Sequence, residues 1–246
     1  MSVLFPSDWL ADAPYEEFDL GVLKSGKESE VFLVSRAGPT RTCLIAEKRF
    51  KPRLQRGFRN DYLYAGVWGE GTHHEERAVK KRTRFGQEFL QARWIANEWT
   101  TLGRLHAAGV TVPPPVERIE EGYRMAFIGD GDQAAPRLAD VDLDLITARR
   151  VWRELQRDIQ RMLDAELVHG DLSAFNVLWW HERPVIIDFS QAVDVVTHPA
   201  ARDLLRRDLD RIAAYFRAQG VAIDLDAALV LVGDSPARFA RQVLSS

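Results

Sequence analysis

The sequence predicts an α+β protein with a small sheet lobe followed by a larger, mostly helical lobe. Three observations lead to this prediction. Short apolar runs separated by turn signals fill residues 18–50, helical spacing dominates after residue 84, and one hairpin pattern interrupts the later helices. Strands first and helices later are typical of an α+β fold. A length of 246 residues suits one large domain or two small lobes.

Composition excludes several other classes of protein. The net charge of −3 argues against a protein that coats polyanions along its whole surface. A single cysteine, Cys43, excludes an intrachain disulfide framework and a cysteine-based zinc site. No apolar run approaches the roughly 20 residues of a membrane helix, and the first residues lack the basic segment of a signal peptide. We therefore expect a cytoplasmic protein without a membrane partner.

The first lobe is predicted to contain three strands, a polar turn and one long helix. The turn Lys24–Lys27 separates the first two strands, and Gly109 follows the helix as a stop signal. Apolar residues recur at helical spacing from Phe85 to Leu105. The predicted strands are Phe18–Val22, Glu30–Ser35 and Thr42–Phe50, and the predicted helix is Arg84–His106.

The second lobe is predicted to begin after a strand over Tyr123–Ile128. A turn rich in glycine and aspartate, Gly129–Asp132, marks the boundary, so the predicted lobes are residues 1–128 and 129–246. The amphipathic pattern of Leu143–Ala165 predicts a long helix. The remaining predicted elements are a hairpin of Val177–Trp180 and Val185–Ile187, and helices over Ala200–Ala218 and Leu225–Val232.

One stretch of the chain is strongly basic although the total charge is nearly neutral. Residues 48–93 carry twelve lysines and arginines and five acids, with aromatic residues between them. Such a segment can contact RNA or another phosphate-bearing partner. The alternative is an ordinary solvated surface loop followed by a charged helix face.

The most informative segment for chemistry is His169-Gly170-Asp171-Leu172, followed by Asn176 and, twelve residues later, by Asp188. Phosphoryl transfer requires a carboxylate that accepts the proton of the attacking hydroxyl, and oxygen ligands that hold a divalent metal. We assign Asp171 as the base, and Asn176 and Asp188 as the metal ligands. Asp171 and Asp188 could instead only cap turns, as aspartate commonly does.

Two features of the first lobe agree with phosphotransfer. Backbone N–H groups of the turn at Ser25, Gly26 and Lys27 could meet phosphate oxygens, although the same pattern fits a plain hairpin turn. Lys48 lies within a predicted strand, and Glu98 in the following helix is its expected partner. The competing pair is Lys51 with Glu88.

These residues, taken together, resemble the RIO family of atypical serine/threonine kinases, in the branch without an N-terminal winged-helix domain. The resemblance runs from about residue 18 to residue 216. The segments that distinguish it from ordinary kinases and aminoglycoside phosphotransferases follow Asp188, where Ser190-Gln191-Ala192-Val193 precedes His198-Pro199. No Ala-Pro-Glu-like motif follows Asp188.

The resemblance implies a two-lobed kinase fold without an activation loop or peptide-binding subdomains. It also implies ATP, Mg²⁺ or Mn²⁺, and a protein substrate for which ribosome-associated proteins are candidates. Lys48 would bind phosphates, Glu98 would pair with it, and Asp188 could carry an aspartyl-phosphate in an ATPase-like cycle. Met125 would be the gatekeeper and Ile128 would meet adenine through its backbone. The predicted nucleotide-binding set is Ser25, Gly26, Lys27, Val31, Lys48, Met125 and Ile128.

Two departures from the family pattern stand out. Glu47 replaces the usual apolar residue before Lys48, which makes the solvent face of this strand unusual, and Phe189 replaces a small or β-branched residue after Asp188. Two alternatives to a protein kinase stay open. One is a small-molecule kinase of the aminoglycoside type, and the other is a nucleotide-gated module that binds RNA or a partner through residues 48–93.

Overall fold

The computed structural model describes residues 10–51, 81 and 83–233. The chain divides into two compact units, the first formed by residues 1–100 and 114–127, the second by residues 101–113 and 128–246. Most of the basic stretch, residues 52–80 and 82, lies outside the described residues. The lobe boundary between residues 128 and 129 stays a prediction.

The first unit contains a five-stranded antiparallel sheet. Its strand order is β1-β2-β3-β5-β4, with β3 in the middle. Apolar side chains on β2 and β3 pack with Phe127 into a small core, in which Leu33 and Ala46 are buried. The strands are β1 (Glu16–Ser25), β2 (Ser29–Ala37), β3 (Thr42–Phe50), β4 (Pro115–Ile119) and β5 (Gly122–Ala126). Helix α1 spans Arg84–Ala107, and its residues from 101 onward belong to the second unit.

The second unit is mostly helical. Its longest helix, α2 (Leu145–Asp164), begins at Asp144, whose carboxylate accepts the backbone N–H groups of Ile146 and Thr147. An apolar stripe on α2 is buried. The other elements are β6 (Gly129–Asp130), β7 (Gln133–Ala134), β8 (Leu167–Val168), β9 (Val177–Trp180), β10 (Arg183–Ile186), β11 (Val193–Asp194), α3 (Ala201–Ala218) and α4 (Leu225–Val232).

The segment after Asp188 is short. Residues 189–200 lead directly to α3, and within them β11 pairs antiparallel with β8. No extended loop is therefore inserted here, which agrees with the predicted kinase-like fold that lacks an activation loop. Within the described ranges, no helix is both long and apolar enough to cross a bilayer.

Several elements differ from the sequence-based prediction. The two-residue strands β6, β7, β8 and β11 were not predicted, and the predicted strand Tyr123–Ile128 is observed as Gly122–Ala126. Strand β4 was not predicted, because Pro115 opens it and the polar pair Glu117-Arg118 interrupts its apolar pattern. The predicted four-residue loop of the β9–β10 hairpin is a two-residue loop in the structure. His181 and Glu182 both have positive φ (44° and 58°), as a type I′ turn requires, so Arg183 and Pro184 belong to β10.

Candidate active site

In the first unit, a buried ion pair joins the central strand to helix α1. The Lys48 Nζ donates to Glu98 Oε1 at 2.5 Å, and only 6% of Lys48 and none of Glu98 is exposed. Tyr123 Oη donates to the same carboxylate oxygen at 3.1 Å. An unpaired charge at this depth would be costly, so the pair holds the lysine in one position. The role of Lys48 in binding phosphate stays a prediction.

Two aromatic rings and a glycine surround Lys48 and restrict its position further. The Lys48 Nζ lies 5.3 Å from the ring centre of Phe50 and 5.9 Å from that of Tyr123. Gly122 of β5 runs directly alongside Lys48, and a Cβ on Gly122 would lie 1.8 Å from the Lys48 carbonyl oxygen. Only glycine therefore allows β5 to approach β3 at this point.

The competing pair does not form in the structure. Lys51 Nζ lies 3.2 Å from Glu30 Oε1, and Glu88 pairs with Arg84 at 2.8 Å in the first turn of α1. Of the two sequence-based candidates, Lys48 and Glu98 are the two that the fold brings together.

Glu47 is buried rather than solvent-facing. Its side chain is 2% exposed and accepts hydrogen bonds from Arg49 Nε and from Arg124 Nε, the latter at 2.5 Å. Arg124 also pairs with Glu17 and Glu117, and Arg36 joins the same two carboxylates. This network has a member on each of the five strands, so the charge at position 47 is neutralised locally.

The polar turn between β1 and β2 is closed by local hydrogen bonds. Gly26 N–H donates to the Ser29 carbonyl at 2.9 Å, and Ser25 Oγ donates to Glu30 Oε1 at 2.6 Å. Ser25 Oγ also accepts from Lys51 Nζ at 3.3 Å, whereas Lys27 is exposed. The Ser25 hydroxyl and the Gly26 N–H are thus both engaged within the turn, and a phosphate contact of Ser25, Gly26 and Lys27 stays a prediction.

The predicted adenine-contacting residues lie in apolar surroundings. Val31 and Met125 are half-buried and pack against the core of Leu33, Ala46 and Phe127. In the second unit, the Ile128 carbonyl accepts the Ala135 N–H at 3.0 Å. Because that carbonyl is occupied, an adenine contact through Ile128 would use its backbone N–H.

In the second unit, the predicted catalytic base is held by two neighbours. Asn176 Nδ2 donates to the Asp171 carbonyl at 2.8 Å and lies 3.3 Å from Asp171 Oδ2. Arg211 of α3 donates to Asp171 Oδ1 at 2.7 Å, and both side chains are about half-exposed. The structure therefore fixes the orientation of the Asp171 carboxylate from both sides, and Arg211 was not predicted from the sequence.

The arrangement of Asn176 suits a metal ligand. Its amide nitrogen is used on Asp171, which leaves the amide oxygen Oδ1 as the atom that could bind a cation. Asp188, at the exit of β10, is half-buried and has a φ of +69°, in the left-handed region that few non-glycine residues adopt. An amide oxygen and a carboxylate are donors that Mg²⁺ accepts, with water and phosphate oxygens completing the octahedron.

His169 contacts both the Asp171 loop and the segment around Asp188. Its Nδ1 accepts the Asp171 N–H at 3.3 Å, so the proton lies on Nε2, which is 3.1 Å from the Ile187 carbonyl. Burial lowers the pKa of His169, so the ring is neutral. Its ring centre lies 5.2 Å from that of Phe189. His169 thus contacts the residues on either side of Asp188 while it holds the backbone of Asp171.

Asp208 of α3 supports the loop that contains Asp171. Its two carboxylate oxygens accept the N–H groups of Gly170 (2.7 Å) and Leu172 (3.1 Å), on either side of Asp171. Gly170 has a φ of +79°, and a Cβ there would lie 2.1 Å from the Gln191 carbonyl oxygen. Burial raises the pKa of Asp208 to about 7, against the effect of both N–H donors. The sequence contains Asp208 within the RIO-like segment but does not reveal this contact.

Comparisons with known proteins identify the family. The family model described as the RIO domain matches residues 69–228. The chain is 34% identical over 207 residues to the RIO-type serine/threonine-protein kinase Rio1 of Haloferax volcanii, which covers 84% of this chain and 66% of that protein. The Thermoplasma acidophilum protein of the same name is 33% identical over 133 residues, 54% of this chain and 68% of that protein.

A human relative and one solved structure complete the comparison. The human serine/threonine-protein kinase RIO1 is 37% identical over 131 residues, which is 53% of this chain and 23% of that protein. The kinase PK-1 of the Cydia pomonella granulovirus has the same fold, with a TM-score of 0.51 over 90% of this chain and 76% of that one, at 12% identity. On the match to the RIO domain and the identity to its curated members, this chain belongs to the RIO family.

Proposed function

We propose that this chain is an ATP-dependent, metal-dependent phosphotransferase of RIO type, which transfers the γ-phosphoryl group to serine in a protein, itself included, or to water. The observation that carries the proposal is the loop in which Asn176 and Arg211 fix the Asp171 carboxylate. Relatives named as serine/threonine kinases support it, although the chain spans only 66% of the Haloferax volcanii protein.

Each residue of the site would have a distinct role. Asp171 would accept the proton of the attacking hydroxyl as its oxygen bonds to the γ-phosphorus and ADP leaves. Lys48, held by Glu98, would bind the phosphate oxygens of ATP. Asn176 and Asp188 would hold Mg²⁺ or Mn²⁺, which would neutralise charge on the transferred group. Val31 and Met125 would line the adenine site.

Asp188 could also accept the phosphoryl group itself. One of its carboxylate oxygens would bond to the γ-phosphorus as ADP leaves, and water would then release inorganic phosphate. Its left-handed backbone conformation supports this assignment, because residues held in sparsely populated conformations concentrate at functional sites. Label bound to the protein would then be released by hydroxylamine, whereas label on serine would not.

Phosphate transfer from γ-labelled ATP tests the proposal directly. We expect the full chain with Mg²⁺ or Mn²⁺ to incorporate label or release phosphate, and both activities to fall by at least about a hundredfold in Asp171→Ala and in Asp188→Ala. Arg118→Ala, which removes an exposed cation of β4, is the control and should keep full activity. Absence of both activities with either metal would contradict the proposal.

A panel of phosphate acceptors distinguishes a protein kinase from a small-molecule kinase, which would use the same phosphotransfer chemistry. Transfer to an aminoglycoside or sugar at a higher kcat/KM than to any protein would identify a small-molecule kinase. Transfer only to protein serine would support the RIO-type assignment.

A further inference from the structure

A groove on the second unit lies outside the phosphotransfer site. It is a cavity of about 390 Å³ lined by one stripe of α2 and by one residue of α4. This volume is in the range of small-ligand sites. The lining residues belong to α2 and α4, whereas Asp171, Asn176 and Asp188 follow β8 and β10. The lining consists of Arg150, Arg153, Gln156, Arg157, Gln160 and Leu231.

Two arginines of this groove have guanidinium groups that form no ion pair with residues 10–51, 81 or 83–233. Arg153 and Arg157 are exposed and donate only Nε, each to the carbonyl one turn earlier (3.1 and 3.3 Å). Neither pairs with a carboxylate within the described part of the chain, whereas Arg150 pairs with Glu154 at 2.9 Å. Four residues along a helix advance by about 6 Å, which is close to the separation of neighbouring phosphates along an extended strand.

The neutral residues of the groove indicate what kind of anion it fits. Gln156, which is 6% exposed, and Gln160 add amide donors and acceptors between the cations. Leu231, which is 62% exposed, provides an apolar edge. An inorganic polyphosphate or a cluster of carboxylates would gain little from amides and an apolar edge. A strand that alternates phosphates with neutral sugars and bases could use all three kinds of contact.

We propose that this groove binds the phosphodiester backbone of a single-stranded nucleic acid, with Arg153 and Arg157 on neighbouring phosphates. The proposal is independent of the phosphotransfer reaction. It also differs from RNA binding through residues 48–93, because every residue of the groove lies on α2 or α4.

Salt-dependent binding tests the site. The probe is a fluorescein-labelled oligouridylate, measured by anisotropy with the full chain over a range of salt concentrations. Each phosphate contact on a single strand contributes about 0.7 to the slope of log K against log salt. We expect the slope to weaken by about 1.4 in Arg153→Gln/Arg157→Gln. The control, Arg206→Gln/Arg217→Gln, removes the same charge from arginines that pair with Asp226 and Asp210, and should keep the wild-type slope.

A further variant and a competition experiment test the same proposal. Gln160→Glu places a negative charge in the groove and should weaken binding even if the double variant folds poorly, with folding checked by circular dichroism. Equal slopes in the wild type and the double variant, or no binding by the wild type, would overturn the proposal. Displacement of the oligonucleotide by polyglutamate at the same charge concentration would also overturn it, in favour of an acidic peptide.

Discussion

Asp208 supports the loop that contains Asp171, the residue that we propose as the catalytic base. Its carboxylate accepts the two backbone N–H groups that flank Asp171, in surroundings where only 2% of the side chain is exposed. A buried N–H without an acceptor costs about 1–3 kcal/mol. We therefore regard Asp208 as a positioning residue for Asp171.

The raised pKa of Asp208 predicts a particular pH dependence of stability. Because burial raises this pKa to about 7, above the value of about 4 in the unfolded chain, the folded chain binds more protons here between these two values. The contribution of Asp208 to the free energy of unfolding therefore falls as pH rises through this window. We expect the wild type to lose about 2 kcal/mol more than Asp208→Asn between pH 5 and pH 7.5 in urea unfolding. Equal losses would contradict the assignment.

Arg211 provides a second prediction at the level of single residues. The ion pair with Asp171 is half-exposed, so Arg211→Ala should change the free energy of unfolding by less than about 1 kcal/mol. It should nevertheless lower kcat by about tenfold with little change in the KM for ATP, because the carboxylate loses one of its two fixed neighbours. Arg211→Lys should recover part of the kcat. An unchanged kcat in Arg211→Ala would show that Asn176 alone positions the base.

The sequence indicated the candidate site residues but not the residues that hold them in position. Asp171, Asn176 and Asp188 could be selected because their spacing matches a known chemical requirement. The supports Arg211 and Asp208 come from α3, 40 and 37 residues beyond Asp171. No local pattern reports which side of a helix will meet a distant loop, so these contacts became visible only in the folded chain.

Between elements, the Lys48–Glu98 pair connects β3 to α1. Removing one partner leaves a buried charge, and such changes cost about 3–5 kcal/mol, whereas replacing both partners by apolar residues is often nearly neutral. We expect Lys48→Met to lower the free energy of unfolding by about 3 kcal/mol, and Lys48→Met/Glu98→Leu to recover most of that loss.

The same double variant separates stability from catalysis. It should fold almost as stably as the wild type in urea unfolding and still transfer no label from ATP, because the predicted phosphate-binding ammonium is missing. A double variant that is less stable than Lys48→Met would contradict the packing argument. One that keeps wild-type transfer would contradict the role of Lys48.

Secondary-structure elements were predicted accurately where the sequence signal for them is local. The predicted and observed bounds of β3 coincide at Thr42–Phe50, because turn signals mark both ends: Gly38-Pro39 precedes the strand and Pro52 follows it. Strand β4 was missed because its polar residue Glu117 is accommodated by Arg124 of the adjacent strand β5 and by Arg36 of β2, contacts that the local sequence does not show. The β9–β10 turn lacks glycine, so its positive φ values could not be inferred from composition.

For the molecule as a whole, a net charge of −3 does not show how the charges are distributed. On the sheet, the buried carboxylate of Glu47 and the partly exposed one of Glu17 are matched by Arg124 and Arg36, while α2 presents Arg153 and Arg157 without carboxylate partners in the described ranges. A nearly neutral total charge therefore does not exclude a local anion site. The fold and the family could be predicted from ordered motifs along the chain, because these motifs extend over most of its length.

We propose that Asp171 acts in the chemical step and not in binding ATP. The most direct measurement compares the wild type with Asp171→Asn, which keeps the size of the side chain, by equilibrium binding of ATP with Mg²⁺ or Mn²⁺ and by single-turnover transfer of the γ-phosphoryl group. We predict Kd values within about threefold of each other and a transfer rate at least about a hundredfold lower in the variant. Transfer by Asp171→Asn at the wild-type rate, with ATP bound equally well, would contradict the account.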